Sequence, residues 1–146
     1  MRVYIGIDPG KSGALAVLYE DGQCSVVPFN EVAYTHALAP LSQYPTRCCV
    51  EKVNAMPGQG VVSMFNFGHN LGFIEGLLQA FGISYQLVPP QTWKKEFSVT
   101  SHKNTSIQVC QKLFPDVNLL PTQRSRKPSD GMAEALLMAE YARRKL

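Results

Sequence analysis

The chain has no Cys-x-x-Cys pair, no apolar run long enough to cross a bilayer, and little charge: 17% of its 146 residues are Asp, Glu, Lys or Arg. The missing cysteine pair argues against zinc, whose structural sites use closely spaced thiolate and imidazole ligands. The four cysteines are Cys24, Cys48, Cys49 and Cys110. Cys48 and Cys49 are neighbours, and neighbours on a strand point to opposite faces. Reduced thiols of a cytoplasmic protein are therefore expected, not a disulfide frame. The absent apolar run excludes a transmembrane helix. The first strand begins within a few residues of Met1, which leaves no room for a signal peptide. Repeats, low-complexity tracts and linkers are also lacking. One domain over 1–146 is the simplest organisation. A chain of this length buries about two thirds of its unfolded surface without covalent staples.

What charge there is lies unevenly. The net charge is +3. From Met1 to Glu75 the acids outnumber Arg2, Lys11, Arg47 and Lys52. From Gln91 to Lys127 the order reverses: Lys94, Lys95, Lys103, Lys112, Arg124, Arg126 and Lys127 stand against Glu96 and Asp116. A basic segment beside a carboxylate-bearing half points to an anionic polymer as partner. A solvated loop with ordinary surface lysines is the alternative.

The stretch Tyr4-Ile5-Gly6-Ile7-Asp8-Pro9-Gly10-Lys11-Ser12-Gly13-Ala14 organises the rest. Val3, Ile5 and Ile7 read as a buried strand. It delivers Asp8 into a Pro-Gly break. A carboxylate in that position is costly unless something pairs with it. Asp8 reads either as a metal- or phosphate-facing group or as a turn aspartate bonded to its own backbone. Ala14–Tyr19 and Gln23–Phe29 continue as strands joined by tight turns, an antiparallel meander. A short helix from Glu31 to Leu41 leads to a fourth strand, 47–53, apolar on both faces except at Glu51. Such a strand after a crossover is parallel and covered. Ala55–Gly60 is a loop, and 61–81 a helix with two stripes: Phe67, Leu71, Ile74, Leu78, Phe81, and Gly68, Gly72, Gly76. Each mid-helix glycine costs about 1 kcal/mol. Close approach of the protein's own sheet or of a second subunit would account for three in register. A fifth strand, 84–88, ends at Pro89-Pro90. Gln91–Thr105 reads as a basic loop. Asn104 or Thr105 caps a helix to Phe114; Ser129 or Asp130 caps the last one, to Lys145.

Three acids stand in apolar settings: Asp8, Glu51 and Glu134. Asp130 lies one turn before Glu134 on the same helix face. Converging carboxylates repel one another unless a cation lies between them. Mg²⁺, a hard ion that prefers oxygen, is the natural choice. Two such ions can activate water and stabilise the leaving oxygen of a phosphodiester.

Gly6-Ile7-Asp8-Pro9-Gly10, Val50-Glu51-Lys52-Val53 and Asp130-Gly131-Met132-Ala133-Glu134-Ala135-Leu136 resemble the RuvC family of Holliday junction resolvases. The runs Met56 to Gly60 and Met64 to Gly68 resemble its small phage and prophage branch. The resemblance implies an α/β, ribonuclease H-like fold: a five-stranded mixed sheet, its first three strands an antiparallel meander, flanked by helices. It implies a homodimer in the cytoplasm of a bacterial host, nicking four-way DNA junctions in pairs with Mg²⁺ or Mn²⁺. It implies metal and catalytic roles for Asp8, Glu51, Asp130 and Glu134, with two ions per site. DNA contacts fall to Lys94, Lys95 and Lys103, and to Arg124, Arg126 and Lys127. The chain departs from the family pattern at two places. Gly131 stands where the family places the earlier of its two helix acids, and Asn54 stands where a base-wedging phenylalanine is found. A wedge would come from Met56 or Phe65. Alternatives are a ribonuclease H-like nuclease for other branched DNA or RNA, and a non-catalytic junction-binding protein. An actin-like ATPase is disfavoured, because that fold needs a second such domain.

Overall fold

The computed structural model describes residues 1–54 and 57–146, with backbone only at Lys103. Five strands form one sheet in the order β3-β2-β1-β4-β5. They are β1 Val3–Asp8, β2 Ala14–Tyr19, β3 Cys24–Pro28, β4 Thr46–Glu51 and β5 Tyr85–Val88. The first three pair antiparallel as a meander, and β4 joins β1 and β5 in parallel. The helices are α1 Glu31–Leu38, α2 Val61–Ala80, α3 Pro90–Glu96, α4 Lys103–Leu113 and α5 Asp130–Lys145. The mixed sheet flanked by helices agrees with the expected architecture.

Period-two alternation sorts the strand residues between two cores. Val3, Ile5, Ile7, Leu15, Val17, Cys48 and Val50 pack with α1 and with Ile74 and Leu78 of α2. Ala14, Ala16, Leu18 and Cys49 face α5, Trp93 of α3 and Cys110 of α4. Because β2 is covered on both sides, it is apolar at nearly every position. Helix α5 lies directly on β1. A Cβ on Gly6 would run into the Ala135 carbonyl and the Ala139 amide, so only glycine lets the helix this close. The Ser129 hydroxyl caps α5, accepting from the Met132 amide at 3.2 Å.

Several local expectations change. Gln91–Thr105 is not a loop: α3 occupies Pro90–Glu96, and α4 starts at Lys103. Pro90 sits in the first turn of α3, where a missing N–H costs nothing. Trp93 and Phe97, one turn apart, bury on the α5 face of the sheet. The α4 cap position is His102, with no side-chain cap bond. Thr105 instead donates to the His102 carbonyl at 2.7 Å. Helix α1 stops at Leu38 and tightens into a 3-10 turn, Ala39–Gln43, at Pro40. The glycine stripe of α2 does not pack on the sheet. A Cβ at Gly68, Gly72 or Gly76 would meet nothing among the described residues within 4 Å.

Candidate metal and DNA site

Asp8 closes β1 and Glu51 closes β4. The parallel register runs to Ile7 opposite Val50, so the two acids stand one residue beyond the last pair, side by side. By alternation they share the α5 face with Gly6 and Cys49. There α5 supplies Asp130 in its first turn and Glu134 in its second. The fold thus brings all four sequence-predicted carboxylates to one end of the sheet.

Electrostatics record how near they are. The Asp8 carboxyl is held well above its usual range, first by burial and then by the charges of Glu51, Glu134 and Asp130; Lys94 opposes them. Burial also raises Glu51 and Glu134, against the pull of Lys94 on both. Among the described residues nothing donates a hydrogen bond to Asp8, which removes its reading as a self-bonded turn aspartate. The turn is closed instead by the Gly13 amide on the Gly10 carbonyl at 3.1 Å.

Two neutral donors hold the cluster from outside. The Trp93 indole Nε1 donates to Glu51 Oε2 at 2.9 Å. The Ser106 hydroxyl donates to Glu134 Oε2 at 3.1 Å. Lys94 Nζ lies 4.0 Å from the same oxygen. None of these pairings was predicted. Ser106 had a signal: it stands one turn before buried Cys110, a polar group on the inward face of α4. Trp93 was hidden because its segment read as loop.

Gly131 explains the departure on α5. A Cβ there would run into the Ser12 carbonyl and lie 3.3 Å from Asp8 Oδ2. The Asp8–Gly13 turn packs against the helix start, leaving no room for an acid at 131. Asp130, one residue earlier, still lies close enough to act on Asp8, after Glu51 and Glu134.

Of the expected DNA-contacting residues, Lys94 and Lys95 are on α3, Lys94 half-buried and Lys95 exposed. Lys103 opens α4. Arg124, Arg126 and Lys127 are exposed on the segment between α4 and α5, away from regular structure. Phe65 is 73% exposed near the start of α2. Met56 lies outside the described residues.

Donor chemistry fits a hard divalent cation: the cluster offers carboxylate oxygens only, and Asp8 is uncommitted. Among the described residues no three Asp, Glu, His or Cys side chains form a ready-made cage. The four cysteines are free. Among the described residues no helix is long and apolar enough to cross a membrane.

No family model matches the chain, and no curated protein matches it in sequence. Among solved structures it is similar to T. thermophilus RuvC in complex with a Holliday junction substrate. The TM-score is 0.67 at 17% identity, covering 99% of this chain and 97% of that one. It is also similar to another Thermus thermophilus RuvC structure, with TM-score 0.58 and 15% identity over 94% and 90% of the two chains. The fold is ribonuclease H-like.

Proposed function

We propose that this protein is a metal-dependent, structure-selective DNA endonuclease that resolves four-way junctions by paired, symmetric nicks. The observation that carries the reading is the convergence of Asp8, Glu51, Asp130 and Glu134 at one end of the sheet, with Asp8 free of any hydrogen-bond donor among the described residues. Buried and half-buried carboxylates that repel one another are a standing cost unless they serve a cation. The likeness of the fold to a RuvC seen with a Holliday junction supports the substrate class.

In this reading Asp8, Glu51 and Glu134 hold Mg²⁺ or Mn²⁺, two ions per site, with Asp130 supporting. The bound ions would supply an activated water and charge neutralisation at the leaving oxygen. The chain's own part is to aim the carboxylates. Trp93 and Ser106 each occupy one oxygen of a glutamate, which leaves the other available. Lys94, Lys95 and Lys103 neutralise phosphates beside the scissile bond; Arg124, Arg126 and Lys127 extend the contact along the arms. Hydrolysis breaks the P–O3′ bond and leaves a 5′-phosphate and a 3′-hydroxyl, ends that a ligase can seal. The active species is a homodimer, since two related strands must be cut. The Met64-Phe65-Asn66-Phe67-Gly68 run supports a phage-type member, working in the cytoplasm of a bacterial host.

Asp8→Asn removes charge without changing shape. It should abolish Mg²⁺-dependent nicking of four-way DNA while junction binding in EDTA stays within about twofold. Unchanged nicking would sink the assignment. Running three-way and linear DNA in parallel separates a junction resolvase from a nuclease for other branched DNA. Binding without cleavage by the wild type would mark a non-catalytic junction binder.

A further inference from the structure

Helix α3 is anchored at three points. Trp93 is fully buried, and its indole N–H ends on Glu51. The C-terminal turn is tied to α5 by Arg144 Nη1 on Glu96 Oε2 at 3.1 Å. The Arg144 guanidinium also lies 4.9 Å from the Phe97 ring centre. Glu51 itself is 8% exposed and ends a strand buried on both faces. A carboxylate in such a place has little water to complete its shell, so its orientation depends on the donors the protein provides. Among the described residues Trp93 is the one donor to Glu51. Lys94, next in the chain, reaches toward Glu134, with its ammonium 5.7 Å from the Trp93 ring centre.

We infer that Trp93 is a positioning residue for the metal site: its indole N–H fixes one oxygen of Glu51 and so presents the other to the cation. The inference rests on the metal reading proposed above. It gives Trp93 a role that burial alone does not require, since a phenylalanine would fill much of the same volume. Outer partners of metal ligands commonly set affinity by roughly 10–100-fold when removed.

Trp93 is the only tryptophan in the chain, which permits a change of almost a single group. Biosynthetic replacement of tryptophan by benzothienylalanine puts sulfur in place of the N–H and preserves the ring shape. Mn²⁺ binding to the free protein is measured by the paramagnetic signal of unbound ion. Junction binding is measured separately in EDTA. The expected result is a Mn²⁺ dissociation constant raised roughly 10–100-fold, with junction affinity unchanged within about twofold. Cleavage should recover as Mn²⁺ is raised. Trp93→Phe should show the same split between metal and DNA. Equal Mn²⁺ affinity in wild type and the benzothienyl protein would overturn the inference and leave the metal reading standing. Loss of fold in the benzothienyl protein would also overturn it, assigning the N–H to stability. A wild type that does not bind Mn²⁺ at all would remove the metal reading, and this inference with it.

Discussion

Asp8 bears the clearest conflict between stability and use. Its burial among three other acids raises its pKa above the unfolded value, so the folded state holds a proton that the unfolded chain has released. The resulting stability is fully present below the unfolded pKa and is lost as pH rises through the folded one. Neutral pH lies above the unfolded pKa, so there Asp8 destabilises the metal-free fold. Asp8→Asn removes this penalty. In EDTA at pH 8 its melting temperature should exceed that of the wild type, and the gap should close as pH approaches 4. A variant that melts lower, or a gap that ignores pH, would mean that the Asp8 charge is not opposed. The same residue would then be inactive yet more stable, the trade expected where a site is built for function. Gly131 is its counterpart. That residue is small because the Asp8 turn occupies the space beside it.

Among the elements, α2 asks most for a partner. Ile74 and Leu78 of the apolar stripe bury on the sheet. Its opposite side carries the open glycines, and its first turns expose Val61 at 83%, Val62 at 73% and Phe65 at 73%. Glycines at about 1 kcal/mol each, with no described atom near their Cβ positions, are what the proposed dimer would require if a second copy approached closely. Gly72→Leu should fold, because no described atom lies within 4 Å of its Cβ. It should elute as a monomer, and paired cutting should decay into uncoupled nicks. A variant that stays dimeric and fully active would remove this face from the interface. Helix α3 shows the reverse case. Its sequence reads as a basic loop because five of its seven residues are polar and two prolines stand at its start. Its helical form depends on Trp93 and Phe97 finding the core.

Across the whole molecule, the carboxylates gather at one end of the sheet with Lys94 beside them. The charged C-terminus is different: Arg143 pairs with Glu140 at 2.6 Å, and Lys145 lies 3.6 Å from Glu96. Those cations are engaged within the fold, whereas Lys95 is exposed. Junction affinity should then fall steeply with salt, with a log–log slope of about 0.9 per duplex phosphate neutralised. Replacing Lys94 and Lys95 by alanine should flatten that slope by about 0.9 for each phosphate left without its lysine, and weaken all junction sequences alike. Weakening confined to one junction sequence would point to base readout instead.

The strand pattern, the parallel fourth strand, the α5 cap and the four acids were legible in the chain, because each leaves a local mark. Apolar period, a turn or cap residue, and a carboxylate in an apolar run are all visible within a few positions. Trp93 on Glu51, Ser106 on Glu134 and the exclusion of a side chain at 131 were not. Each joins residues distant in sequence, and each depends on how closely α3, α4 and α5 settle on the sheet. The direction the α2 glycines face was equally undecidable from spacing. A helix with two small or apolar stripes can turn either one inward. The choice fell to the stripe that buries Ile74 and Leu78, since only that one removes large apolar area from water.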